Sequence, residues 1–174
     1  VNASPARFDA KKCEAINAAH IRLLSPHELT ENLVPFLAAA GLINEPPLAA
    51  ERDKLAAATP LIQERINTLS EAVGLLAFLF FPDDKITIAP DAGLSADSKP
   101  TLTVAYEALA AIEAFDHASV ESALRTALVD NLGLKPRLAF GPVRAAVSGS
   151  RISPPLFESL ELLESTLQEY PGTV

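Results

Sequence analysis

Gly141–Leu163, GPVRAAVSGSRISPPLFESLELL, reads as two helices and the tight turn that joins them. Pro142 suits the first turn of a short helix, where the missing N–H has no intrahelical acceptor to satisfy. Gly149 stands where that helix stops, because glycine takes the left-handed C′ conformation without a Cβ penalty. Ser153 is placed to cap the next helix, with Pro154 as its first residue and Phe157, Leu160 and Leu163 as an apolar stripe. Arg144 and Arg151 then flank a helix–turn–helix junction.

Outward from this run, helix signals recur and strand signals are almost absent. Asp9 can cap a helix to about Ala18 that turns Phe8, Cys13 and Ile16 inward. Ser25-Pro26-His27-Glu28 has the form of a capping box with proline at the first helical position. The helix that follows carries Leu29, Leu33, Phe36, Leu37 and Ala40 on one face and stops at Gly41, with Pro35 expected to kink or split it. A further helix is expected over Leu48–Ala58, another from Thr59-Pro60 to about Thr68, and another from Ser70 to just before Pro82. Lys99-Pro100 opens one running to about Phe115, and Asp116 caps one ending at Gly133. Between them, Pro82–Pro100 holds three prolines and four aspartates and reads as a surface linker. The expected architecture is all-α, a two-lobed helical bundle: a first subdomain over 1–82, a linker over 83–99 and a second subdomain over 100–174.

The chain has 174 residues, 49% of them hydrophobic, enough to bury a proper core. No apolar run reaches membrane-spanning length; Val73–Phe81 is short and interrupted by Gly74. Cys13, the single cysteine, permits no internal disulfide and suits a reducing cytosol, and as a small apolar side chain it is expected in the core. His20, His27 and His117 have no metal-ligand spacing, with one another or with Cys13. Neither a glycine-rich phosphate loop nor a nucleophile elbow is present, so the chain itself offers no active site.

A net charge of −8 argues against a general nucleic-acid binder, but the charge is unevenly placed. Arg125, Lys135, Arg137, Arg144 and Arg151 fall in one window with a single acid, Asp130, leaving 9 basic and 21 acidic residues elsewhere. Such a window serves a selective reader needing few contacts, the acidic remainder discouraging indiscriminate RNA binding. It also fits a cluster of cations on a solvated face.

The opening run closely resembles the C-terminal anticodon-binding region of bacterial glutamyl-tRNA synthetases, whose pattern is roughly P-[LIV]-R-x-A-[LV]-[ST]-G followed by S-P-x-[LI]-F-E. Val1–Leu24, VNASPARFDAKKCEAINAAHIRLL, is similar to the family's F-[DN]-x-K-K-L-x-W-[LM]-N-x-x-[HY]-I segment, with His20 at the [HY] position in a packing or hydrogen-bonding role. PLIQERINTLSEAVGLLAFLF, from Pro60 to Phe80, resembles its ERxxTLxE helix pair. The family's tryptophan is replaced by Glu14-Ala15-Ile16, and its basic final stretch by the acidic Glu164–Glu169. No His-Ile-Gly-His-like or Lys-Met-Ser-Lys-Ser-like motif occurs. The chain is therefore expected to be the C-terminal part of a larger ligase, with ATP and magnesium bound by the catalytic part and no cofactor in this one.

The resemblance implies an anticodon contact at Arg144, a second at Arg65 and a further one at Arg125. Arg151, Lys135 and Arg137 would hold phosphates. An arginine suits base reading because its planar fork donates bidentately and also stacks on an unstacked base. Phe140 would supply a stacking ring or a core side chain, whereas Phe78, Phe80, Phe81 and Phe157 read as core. Without the resemblance, Arg144 reads as a surface ion-pair partner and Arg65 as a neighbour of Glu64 on an exposed helix. The implied partner is glutamate tRNA, and glutamine tRNA where the enzyme does not discriminate. A cytoplasmic monomer without DNA or membrane contacts is expected, with the anticodon loop splayed across the surface between the lobes. A helical protein-interaction module that lacks RNA affinity is the alternative.

Overall fold

The computed structural model describes residues 9–82 and 85–169. They form eight α-helices, a short 3₁₀ turn and a π-helical segment, and no strand occurs among them. Contacts divide the chain into two units, Val1–Gly74 and Leu75–Val174. The division falls inside the helix Glu71–Phe80, earlier in the chain than the proline cluster suggests.

In the first unit, α1 spans Ala10–Leu23 and Asp9 caps it by accepting from the Lys12 N–H at 3.1 Å. The helix runs a turn beyond Ala18, and the predicted inward stripe is wrong. Cys13 is exposed and Ile16 is 50% exposed, while Ala18 and Ile21 are buried. Phe8 lies outside the described residues. The seated half is the C-terminal one, where Gln63 Nε2 donates to the carbonyls of Ile21 and Leu24 at 3.0 and 2.8 Å and Asn17 donates to the Asn67 carbonyl. His20, expected to pack or bond, is exposed.

Helix α2 (Pro26–Ala39) opens with the predicted capping box: Ser25 Oγ accepts from the Glu28 N–H, and Glu28 Oε2 accepts from the Ser25 N–H. Leu29, Leu33 and Leu37 are fully buried, but Phe36 remains 39% exposed and Ala40 is exposed. Pro35 does not split the helix. Its ring and Glu31, whose carbonyl loses its helical donor, both face solvent, where water can supply the missing bond. Gly41, at φ +71°, ends the helix in a Schellman motif, with Leu42 N donating to Leu37 O and Gly41 N to Ala38 O.

Helix α3 is one helix, Ala49–Ile62, and not two. Thr59 does not cap a new helix at Pro60. It is fully buried, and its hydroxyl donates to the Leu55 carbonyl at 2.7 Å while accepting from Thr30 Oγ1 of α2 at 3.0 Å. Residues 63–70 are turns rather than helix. They lead into α4 (Glu71–Phe80), whose first-turn Glu71 carboxylate accepts from the Asn67 N–H and the Thr68 hydroxyl.

In the second unit, α5 (Lys99–Ala110) ends before the predicted Phe115, α6 spans His117–Leu124, and a π-helical segment follows over Arg125–Asn131. Asp116 caps α6 as expected, accepting from the Ser119 N–H at 2.9 Å. Val120, Leu124 and Leu128 are buried at four-residue intervals. A 3.6-residue turn would drift off that rhythm, and the wider π turn keeps Leu128 facing inward. Gly133, at φ +66°, closes the segment. Helices α7 (Pro136–Ser148) and α8 (Leu156–Glu169) complete a core in which Ala105, Val120, Leu124, Leu128, Ala139, Val143, Leu156 and Leu160 pack together.

Two predicted boundaries around the opening run move. Pro136, not Pro142, starts α7, and Pro142 lies inside it. Helix α8 starts at Leu156, not Pro154, because the buried Ser153 hydroxyl is committed elsewhere, and Pro155 supplies the first carbonyl, accepting from Ser159 N at 3.1 Å. Gly149 behaves as predicted, with φ +71° at the end of α7.

The described part of the proline-rich stretch is more than a connector. Ala89 N donates to Gly149 O at 2.8 Å, Ala92 is 5% exposed, and Ala96–Ser98 form the 3₁₀ turn that leads into α5.

Candidate nucleic-acid interface

Along α7, Arg137, Phe140, Gly141 and Arg144 recur at helical spacing and share one face. With Leu138, Pro136 and Pro142 they line a groove of about 870 Å³. Arg151, from the turn after α7, also lines it, and Ala92 and Gly93 form part of its wall. Among the described residues, three guanidinium groups border this space and no carboxylate does. In a chain of net charge −8, that is a strong local reversal of sign.

Arg144 is held firmly. Its Nη1 donates to Ser153 Oγ and to Pro154 O, both at 2.7 Å, so one nitrogen ties α7 to the start of α8. These two partners are a hydroxyl and a carbonyl, and the side chain lines the groove from a fixed position. Arg137 and Arg151 are exposed there.

Arg125 sits at the start of the π segment, ion-paired to Glu121 one turn back, with its guanidinium 5.9 Å from the Phe140 ring centroid. Phe140 packs edge-on against Phe157 at 5.4 Å and an interplanar angle of 87°. Half-buried, it serves the core and the groove together. Lys135 is the N-terminal flanking residue of α7, exposed and outside the groove lining.

The structure therefore gathers Arg137, Arg144 and Arg151, places Arg125 over the Phe140 ring and leaves Lys135 at the helix start. Arg65 belongs to the first unit. It is exposed in the turn after α3, where its backbone N–H donates to Ile62 O at 2.8 Å. Glu64 beside it pairs with Arg22 at 2.8 Å.

Two groove features escaped the sequence reading. Leu138 is 60% exposed, an apolar side chain offered to the opening. Gly93, at φ +79°, puts bare backbone into the opposite wall. Asp91-Ala92-Gly93 carries a turn signal, but nothing local announces that the turn faces α7.

Elsewhere, His117 Nδ1 lies 2.9 Å from Glu161 Oε2 of α8. That hydrogen bond, aided by the Glu161, Glu158 and Asp116 charges, raises the histidine's pKa above its ordinary value. Among the described residues no three His, Cys, Asp or Glu side chains cluster as a metal site, and no helix is long and apolar enough to cross a membrane.

The anticodon binding domain model matches residues 28–166. The glutamate–tRNA ligase of Kocuria rhizophila is 56% identical over 171 residues, covering 96% of this chain and 34% of the ligase. That of Rhodococcus jostii is 53% identical over 166 residues, covering 94% and 33%. The chain thus spans about one third of the length of these relatives. A crystal structure of a glutamate tRNA ligase from Elizabethkingia meningosepticum superposes with a TM-score of 0.73 at 18% identity, over 98% of this chain and 33% of that one. At that identity the superposition speaks for the fold, two helical units of the same kind. With the match extending through both units and across the basic groove, the chain belongs to the anticodon-binding domain family.

Proposed function

We propose that the groove beside α7 receives the anticodon loop of glutamate tRNA, as the RNA-reading part of a glutamate–tRNA ligase. In that enzyme, ATP and magnesium act in a catalytic part, and this chain needs no cofactor of its own. The observation that carries the reading is the convergence of Arg137, Arg144 and Arg151 on one groove of an acidic chain, with no carboxylate among its described lining residues, in a member of this family.

Unpaired loop bases can be splayed out, stacked on a planar guanidinium or ring and read along their edges. Arg144, fixed by Ser153 and Pro154, is the base reader, because a donor set held in place discriminates best. Arg137 and Arg151, exposed at the groove, hold phosphates and set the register. Arg125, over the Phe140 ring, adds positive potential. Arg65 contributes a separate contact from the first unit. The protein acts in the cytoplasm as a monomer.

Titration with a glutamate-tRNA anticodon stem–loop tests this, with an anticodon-scrambled loop and a glutamine-tRNA loop alongside. The cognate loop binds more tightly than the scrambled one, and binding weakens as salt rises. Equal or absent binding of the cognate and scrambled loops overturns the proposal and favours a protein-interaction role for the same fold.

A further inference from the structure

The groove has two sides, and only the α7 side carries residues that identify themselves by charge. The other side includes Ala92 and Gly93, the end of a strap that begins at Lys85. One backbone bond reaches across to it from the turn after α7: Ala89 N donates to Gly149 O at 2.8 Å. The approach is close as well as bonded. A Cβ built on Gly149 would meet the Thr87 carbonyl oxygen at 2.5 Å, closer than real Cβ contacts come, and φ at Gly149 is +71°. Gly149 is thus confined to glycine by its conformation and again by the strap lying on it.

We infer that the strap is an RNA-facing wall of the groove and that Gly149 is the positioning residue that holds it opposite α7. This rests on the groove being the anticodon site. Ala92 is buried, so the wall is packed rather than loose, and Gly93 exposes backbone where an unstacked nucleotide would lie. The nucleotide is enclosed between that backbone and the Arg137, Leu138 and Phe140 side. A displaced strap leaves every arginine in place while opening the groove.

The test compares the intact wild-type protein with Gly149→Ala, Ala89→Pro and Gly41→Ala. Gly149→Ala pushes a methyl into Thr87. Ala89→Pro replaces the donated hydrogen with a ring methylene, which removes the bond and crowds the Gly149 carbonyl from the strap side, and it carries the test where Gly149→Ala does not fold. Gly41 has the same φ of +71° with nothing within 4 Å of where a Cβ would stand, so Gly41→Ala imposes the backbone penalty without touching the strap. Thermal melts and titrations with the cognate stem–loop are recorded for each.

Both strap variants are expected to bind about tenfold more weakly than wild type. The dependence of log affinity on log salt stays unchanged in them, because that slope counts neutralised phosphates and no cation has been lost. Gly41→Ala melts lower but binds as wild type. Unchanged affinity in the folded strap variants overturns this inference alone, as does an equal loss in Gly41→Ala. A wild-type protein that does not bind the stem–loop overturns it together with the proposed function.

Discussion

Arg144 has a structural role beside the RNA contact proposed for it. Its bonds to Ser153 Oγ and Pro154 O are part-buried, so Arg144→Ala leaves the helix junction short of two donors. Removing hydrogen bonds made by a charged donor costs about 1–3 kcal/mol. Chemical denaturation should therefore show Arg144→Ala less stable by that order, with stem–loop binding lost as well. Arg137→Ala and Arg151→Ala, at exposed positions, should bind more weakly with an unaltered unfolding midpoint; a stability loss matching that of Arg144→Ala would refute the distinction. Lysine does not rescue Arg144, since it lacks the planar fork. His117 makes a second residue-scale case. Its hydrogen bond to Glu161 raises the folded-state pKa above the unfolded value, so protonation is more favourable in the folded chain. The resulting stabilisation is fully present below the ordinary histidine pKa and disappears as pH rises through the raised one. An NMR titration should find the His117 midpoint shifted down in Glu161→Gln, and an unmoved midpoint would count against the pairing.

At the scale of the element, what was legible in sequence was what is decided locally. The Ser25–Glu28 box, the Asp9 and Asp116 caps and the glycine stops at Gly41, Gly133 and Gly149 each involve residues within a few positions of one another. The misread boundaries share a different origin. Thr59-Pro60 has the composition of a helix start, yet a hydroxyl from α2 holds Thr59 inside α3. Ser153-Pro154 has it too, yet Arg144, nine positions earlier, draws the Ser153 hydroxyl away. Prolines inside α2, α3 and α7 survive because packing outweighs one lost backbone bond. Pro35 makes this measurable, since neither it nor Glu31 is buried. A proline in a helix interior is about 3 kcal/mol worse than alanine, and the stiffer unfolded chain returns up to about 1 kcal/mol of that. Pro35→Ala should raise stability by roughly 2 kcal/mol in chemical denaturation; an unchanged or lower midpoint would mean that α2 needs the proline.

For the whole molecule, charge distribution sets the terms of any encounter with RNA. Three arginines line the groove while the chain carries a net −8, so attraction is local and the remainder repels. Two phosphate contacts, those proposed for Arg137 and Arg151, correspond on a single-stranded loop to a log–log salt slope of roughly −1.4. A much steeper slope in the stem–loop titration would place additional cations, such as Lys135 or Arg65, on the backbone. The candidate site was half legible. The basic window Arg125–Arg151 marked one wall, although a helix start expected at Pro142 left Arg137 off the face it shares with Arg144. The other wall was not marked, since Ala89, within the proline-rich stretch, is held through the backbone of Gly149, a contact with no side-chain signature.

The π-helical segment Arg125–Asn131 has a consequence of another kind. A π turn holds more chain than an α turn over the same stretch of axis. Losing a single residue there would let the backbone tighten into ordinary α-helix and still deliver Gly133 to its turn. Among descendants of this fold, that segment is where the chain can shorten by one residue without carrying the arginine face of α7 out of register.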